Sequence, residues 1–218
     1  MRYYYDKQLK KLNGYMAWMG QLIEKAIQDA LSALLSHDME KAKETIHYDA
    51  QINHLEREIE NLCFHLLLSQ QPVASDLRFV SSALKMITDM ERIGDHAADI
   101  SEITLILNGS GFPEDLQDIR KMAEETTSMV KASIDAYVER STQKAIEVIH
   151  QDDVVDQWFI HIKKSVISQI NENIQNGEEA ADVLMIAKYL ERIADHAVNI
   201  AEWVLFCVTG RHPDPQEK

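Results

Sequence analysis

The chain has 218 residues, and 45% of them are hydrophobic, which is enough for the chain to bury a core of its own. The net charge of −14 would repel phosphate backbones and anionic lipid surfaces, so it argues against a nucleic-acid partner and favours cations. Glycine (7) and proline (4) are scarce, which favours long helices over a many-stranded sheet. We therefore expect an all-α protein.

Three helices are predicted in the first half of the chain. Apolar residues recur at helical spacing between Leu12 and Leu34, and a polar segment follows them. Asp38 is a suitable N-cap for a second helix, because its side chain can accept from the unpaired backbone N–H groups at a helix start. A third helix is predicted from near Val73 to the segment 108–113, which reads NGSGFP.

Three more helices are predicted in the second half. Pro113 suits the first position of a helix, so the fourth helix is expected to begin there and to run to about Glu139. Ser141 can cap a fifth helix, which is expected to end at the Asn-Gly pair that begins with Asn176. The sixth helix is expected to end at Gly210.

An internal repeat relates the two halves. Residues 41–49, KAKETIHYD, and residues 144–152, KAIEVIHQD, share six of nine positions at an offset of 103. Residues 91–102, ERIGDHAADISE, and residues 191–202, ERIADHAVNIAE, share eight of twelve at an offset of 100. A three-residue deletion in a loop accounts for the change of offset. The sequence thus predicts two tandem three-helix bundles and a flexible C-terminal tail, at residues 1–110, 111–209 and 210–218.

Acidic and amide side chains recur at i and i+4 on two helices of each repeat, so they lie on one face of each helix. If the two helices pack side by side, four oxygen-bearing side chains converge, and a multivalent cation would offset their repulsion. An acidic stripe is also typical of a solvated helix face, and spacing alone does not distinguish these two interpretations. The candidate metal ligands are Asp49, Asn53, Glu91, Asp95, Asp99, Asp152, Asp156, Glu191, Asp195 and Asn199.

Four charged or ionisable residues flank these motifs. His96 and His196 lie about 100° from the centre of the acidic stripe, so we expect them to pack at its edge or to bond a neighbour rather than to bind metal. Arg92 and Arg192 are expected to pair with the carboxylates or with acidic groups of a partner.

A second pattern favours a different class of protein. Glu44 with His47, and Glu147 with His150, have the i, i+3 spacing that di-iron carboxylate bundles use. The third and sixth predicted helices supply no inward glutamate to complete such a cage. A ferritin-like bundle and a metal-free helical scaffold therefore remain as alternative interpretations.

Enzymatic activity is not indicated, because the chain has no glycine-rich phosphate loop, nucleophile elbow or zinc motif. The segment MRYYYDKQLK lacks the apolar region of a signal peptide, and no apolar run reaches the roughly 20 residues that span a bilayer. We expect a cytoplasmic protein that meets a membrane only indirectly. Cys63 and Cys207 occupy non-equivalent positions of the repeat and are expected to be reduced core thiols.

Three segments together resemble the PhoU family of phosphate-uptake regulators: QPVASDLR at 71–78, ERIGDHAADI at 91–100 and YLERIADHAVNIAEW at 189–203. The resemblance implies a cytoplasmic accessory protein of the phosphate ABC transporter that negatively regulates phosphate uptake and phosphate-starvation signalling. It further implies contacts with the transporter's ATPase subunit and with the sensor histidine kinase of a two-component system, and a homodimer. Multinuclear iron or zinc clusters on the acidic motifs are also implied.

Two departures from the family pattern concern these implied sites. Asn53 and Asn199 replace carboxylates with neutral amides, which lowers the ligand charge of each cluster by one. Asp76 and Arg78 match the family in the first repeat but have no counterpart in the second, so they form either a partner surface or a structural clamp at the loop. The candidate partner-binding residues are Asp76, Arg78, Arg92 and Arg192.

Overall fold

The fold is a helical one, as the composition predicts. A computed structural model describes residues 2–69, 73–107 and 116–212, and within these ranges it contains helices and no strand. A single 3₁₀ turn, Ile174–Asn176, lies between the last two long helices. The long helices are α1 Arg2–Ser36, α2 Met39–Ser69, α3 Ala74–Leu107, α4 Leu116–Glu139, α5 Thr142–Glu172 and α6 Gly177–Thr209.

The helices form two three-helix bundles, which confirms the predicted architecture. In the first bundle α1, α2 and α3 pack on one another, and in the second α4, α5 and α6 do the same. The bundles are joined because α3 packs along α6 and α1 packs against α4, and one continuous hydrophobic core runs through both. The predicted boundary between residues 110 and 111 lies outside the described residues.

The connection between the first two helices of each bundle is built in the same way. His37 and Arg140 both adopt the left-handed conformation, with φ of 54° and 55°, at the end of α1 and α4. The next residue in each repeat caps the following helix. The Asp38 carboxylate accepts a backbone N–H at 3.0 Å, and the Ser141 hydroxyl accepts its equivalent at 3.3 Å. Both predicted N-caps are therefore confirmed.

The start of α1 and the end of α5 differ from the predicted boundaries. Helix α1 begins ten residues before Leu12, and Tyr5 in the added segment is buried in the core. Helix α5 ends at Glu172 because the Asn173 side chain accepts the backbone N–H of Gln175 and starts the 3₁₀ turn. Gly177, predicted to end α5, instead has helical backbone angles at the start of α6.

The C-terminal end of α6 follows the predicted pattern. Gly210 has a φ of +76° and ends the helix. His212, in the segment predicted to be a flexible tail, stacks on Phe206 with ring centroids 4.4 Å apart. Pro113 and the remaining tail residues, 213–218, lie outside the described residues. Within the described ranges, no helix is both long and apolar enough to cross a membrane.

Candidate metal-binding faces and the seam between the bundles

The first acidic face lies where α2 packs against α3. We define it by the side chains of Asp49, Asn53, Glu56, Glu91 and Asp95. The carboxyl groups of Asp49 and Asp95 are within hydrogen-bonding contact, although the two residues belong to different helices. Loss of surrounding water, and then this contact, raise the pKa of Asp49 above its ordinary value. The two helices thus bring together acidic groups that the sequence shows as separate motifs.

Asn53 completes this arrangement. Its side-chain N–H₂ donates to both carboxylate oxygens of Asp49, at 3.0 and 3.1 Å. Its amide oxygen is buried and has no hydrogen-bond partner in the structure. A buried oxygen without a donor or a cation is costly. A flip of this amide about its terminal bond would turn the oxygen toward Asp49 as a potential metal ligand.

The charged forms of Glu56 and Glu91 in the first acidic face are also disfavoured. Desolvation and then the charge of Asp95 raise the pKa of Glu91, while desolvation and then the charge of Glu60 raise the pKa of Glu56. Arg92 contacts Asp95 at 2.8 Å and Glu91 at 3.4 Å, but its side chain is 55% exposed, so it approaches from the rim. The face therefore retains unneutralised negative charge.

We expect Asp49→Asn to stabilise the metal-free protein at neutral pH. The pKa of Asp49 is higher in the folded chain than in the unfolded chain, so protonated Asp49 stabilises the fold. This contribution is fully present below the ordinary aspartate pKa of about 3.9 and is lost as the pH rises through the folded pKa. The variant mimics the protonated form, so its gain should be largest at pH 8, about 1 kcal/mol, and should shrink at lower pH. Urea denaturation in the presence of chelator measures the free energy of unfolding.

Glu44→Gln is a suitable control, because Glu44 is an exposed acid on the same helix and lies outside the first acidic face. Its free energy of unfolding should follow that of the wild-type chain at both pH values. An Asp49→Asn variant with the same stability difference at pH 4.5 and pH 8 would contradict the repulsion between Asp49 and Asp95.

The second acidic face lies between α5 and α6 and consists of Asp152, Asp156, Glu191 and Asp195. Desolvation and then the charge of Glu191 raise the pKa of both Asp156 and Asp195. Asp156, Glu191 and Asp195 therefore lie near one another, and Asp152 lies one helical turn before Asp156 on α5. Unlike the first face, this one contains a lysine, Lys188, whose ammonium forms an ion pair with Glu191.

Two other predicted ligands, Asp99 and Asn199, form hydrogen bonds on the seam between α3 and α6. His96 Nδ1 donates to Asp99 Oδ2 at 3.2 Å, and His196 Nδ1 donates to Asp89 Oδ1 at 2.8 Å. Asn199 also donates to Asp89, at 3.0 Å. Asp99 and Asn199, which share a helix face with the motif carboxylates in sequence, thus contact residues of the seam. Both histidines bond to a neighbour, as the sequence predicts.

Aromatic rings of α3 and α6 pack against each other on the seam. His96 is buried, with its ring centroid 5.4 Å from that of Tyr189 and 5.7 Å from that of His196. Desolvation is the main cause that lowers the pKa of His96, opposed by its bond to Asp99. Arg192 is exposed, and its charge acts on His96 and Tyr189 across the seam. The seam therefore couples the two repeats through polar and aromatic contacts.

Comparison with known proteins identifies the family. The sequence matches the PhoU domain over residues 16–104 and again over residues 119–204, one match in each repeat. The chain belongs to the PhoU family. Among its relatives is a protein of Clostridium acetobutylicum named phosphate-specific transport system accessory protein PhoU homolog, which is 36% identical over 96% of both chains.

Solved PhoU structures share the fold. The crystal structure of PhoU from Pseudomonas aeruginosa aligns with a TM-score of 0.91 at 31% identity, over 95% of this chain and all of that one. The phosphate transport system regulatory protein PhoU of Streptococcus pneumoniae aligns with a TM-score of 0.88 at 32% identity, over 96% and 99% of the two chains. The fold of this PhoU chain is therefore shared with these two solved PhoU structures.

The SDLR segment of this PhoU chain contacts the end of α6. Arg78 donates from Nε to the carbonyl oxygen of Cys207 at 3.5 Å. Its guanidinium lies 3.7 Å from the position that a Cβ atom would occupy at Gly210. Asp76 is buried. These contacts join the start of α3 to the C-terminus of α6, where a cation is favourable. They support the interpretation of this segment as a structural clamp.

The residues of the alternative di-iron pattern lie on the surface of the protein. Glu44, His47, Glu147 and His150 are all exposed on the outer surfaces of α2 and α5. His47 Nδ1 lies 2.7 Å from the backbone carbonyl of Lys43 on its own helix. These four residues therefore do not form the inward cage that a ferritin-like site requires.

The fit of a metal ion can be judged from the donor groups. In the part of the chain that the structure describes, no three His, Cys, Asp or Glu side chains are assembled into a ready-made metal-binding group. The first acidic face nevertheless has oxygen donors only, two carboxyl groups in contact and an unpartnered amide oxygen. This chemistry suits a hard cation once side chains rotate inward. The second acidic face fits less well, because Lys188 already supplies a positive charge there.

Proposed function

We propose that this chain is a negative regulator of phosphate uptake and of phosphate-starvation signalling that acts as an accessory protein of the phosphate ABC transporter. Membership of the PhoU family gives it a role in phosphate transport or its regulation. The observation that carries the finer proposal is the full-length similarity to phosphate-specific transport accessory proteins, with a PhoU domain in each repeat.

The proposal extends to partners and location. A regulator of this kind would contact the ATPase subunit of the transporter and the sensor histidine kinase, would form a homodimer, and would work in the cytoplasm without catalysing a reaction. The net charge of −14 supports protein partners or cations over nucleic acid.

Metal binding at the first acidic face is part of the proposal. Asp49, Glu91 and Asp95 would hold iron or zinc, with the amide oxygen of Asn53 as a further ligand. When bound, the metal supplies positive charge that offsets carboxylate repulsion. The packing of α2 against α3 holds the carboxylates close together in spite of their repulsion. A bound cation would offset this repulsion and so stabilise the packed helices. A metal-loaded face would thus present an ordered surface to partner proteins.

Deletion of the gene in its native host tests the proposed function. We expect phosphate uptake and phosphate-starvation gene expression to rise in phosphate-rich medium, because a negative regulator is missing. A plasmid with the wild-type chain should restore repression, and so should one with the matched control Glu44→Gln. Uptake and expression that stay at wild-type levels after deletion would remove the regulator assignment.

A further inference from the structure

The two acidic faces differ at two corresponding positions. Thr88 of α3 corresponds to Lys188 of α6 at the offset of 100, and Glu56 of α2 corresponds to Phe159 of α5 at the offset of 103. The second repeat has therefore exchanged an acid for an aromatic ring and a neutral side chain for a cation. A further change, from Asn53 to an acidic residue in the second repeat, leaves each face with four carboxylates.

The two exchanged residues contact each other. The Lys188 ammonium lies over the ring of Phe159, 5.2 Å from its centroid, while it pairs with the carboxylate of Glu191. The Lys188 side chain is 39% exposed and that of Glu191 only 16%. The Lys188 charge also opposes the rise in pKa of Asp156 and Asp195. The ammonium is thus held beside the carboxylates that would bind a metal.

Each repeat has one motif arginine, but the two are placed differently: Arg92 pairs with Glu91 and Asp95 of the first face, whereas the charge of Arg192 acts on His96 and Tyr189 across the seam. Arg92 reaches the first face from the rim and leaves Asp49 and Asp95 in direct contact. Lys188 has no charged counterpart, because the first repeat has the neutral Thr88 at the corresponding position.

We propose that Lys188 is a built-in cation that takes the place of a metal ion at the second acidic face, so that the first face binds metal more tightly. This inference rests on the proposed metal binding of the family motifs. An ammonium on the same chain is present at an effective concentration of the order of millimolar, so a metal must displace it as well as bind. The two repeats of one ancestral bundle would then have unequal affinities.

Titration of the metal-free chain with Mn²⁺, with free ion followed by electron paramagnetic resonance, tests the inference. We expect Asp95→Asn to remove the tight binding of the wild-type chain and Asp195→Asn to leave it. Lys188→Thr, which installs the residue found at the corresponding position of the first repeat, should tighten binding at the second face about tenfold. Adding Asp195→Asn to Lys188→Thr should abolish that gain.

Two further variants test whether the effect of a lysine depends on its position beside an acidic face. Lys164→Thr removes an exposed lysine of α5 and should leave Mn²⁺ binding unchanged, while Thr88→Lys should weaken the first face. Melting followed by circular dichroism confirms that each variant is folded.

The outcomes distinguish this inference from the proposed metal binding. Wild-type binding that depends equally on Asp95 and Asp195, or a Lys188→Thr variant that matches Lys164→Thr, would overturn the role of Lys188 while metal binding stands. No Mn²⁺ binding to any variant would overturn both.

Discussion

Gly20→Ala is expected to lower the free energy of unfolding by about 1–2 kcal/mol, although alanine is the better helix former. Gly20 lies where α1 packs against α4, which is one of the two helix pairs that join the bundles, besides α3 with α6. A Cβ atom there would lie 2.8 Å from Cδ1 and 2.9 Å from Cγ2 of Ile134. Both distances are well below van der Waals contact, so the buried isoleucine or the helix must shift.

Gly14→Ala in the same helix is the matched control. No atom lies within 4 Å of a Cβ at Gly14, so the substitution gains helix propensity without a clash and should stabilise the protein by up to about 1 kcal/mol. Urea denaturation should therefore separate the two variants by about 1–3 kcal/mol. A Gly20→Ala variant as stable as Gly14→Ala would show that the two bundles do not approach closely at this point.

Much of the fold could be predicted from the sequence because it depends on local patterns. Helical periodicity, the caps at Asp38 and Ser141, and Gly210 at the end of α6 are each properties of a short segment. The internal repeat predicts the number of bundles. Helix ends without such a signal were predicted less well, as at Asn173, where one side-chain bond decides where α5 ends.

The acidic pairs could be predicted in part. Spacing at i and i+4 places side chains on one face of a helix, but it does not say which neighbour that face meets. Asp99 shares a helix face with Glu91 and Asp95, yet the packing of α6 on α3 puts it beside the rings of the seam. Asp89 was not predicted at all, because its partners His196 and Asn199 are more than 100 residues away.

The asymmetry between the two faces was visible in the sequence but could not be interpreted there. Aligning the repeats pairs Thr88 with Lys188 and Glu56 with Phe159. An isolated lysine beside an acidic motif is normally a solvated surface charge. Only the three-dimensional contact of Lys188 with Phe159 and Glu191 shows that the two changes belong together.

Saturating Zn²⁺ is expected to raise the free energy of unfolding of the wild-type chain by about 2.7 kcal/mol at a free metal concentration 100 times the Kd. The proposed reason is that the ion binds the folded first acidic face and offsets the repulsion between Asp49 and Asp95. Thermal melting with added Zn²⁺ and with excess chelator measures the difference. Glu44→Gln, outside the face, should show the same gain.

The decisive variant is Asp95→Asn, because the two contributions of this carboxylate have opposite signs. Without metal, the variant removes the repulsion with Asp49 but also loses the exposed ion pair with Arg92, so it should be more stable than the wild-type chain by less than about 1 kcal/mol. With saturating Zn²⁺ it lacks a ligand and should be less stable. The stabilities of the two proteins should therefore exchange order between chelator and metal. A variant that keeps the same order in both conditions would show that the first acidic face is a solvated surface rather than a metal site.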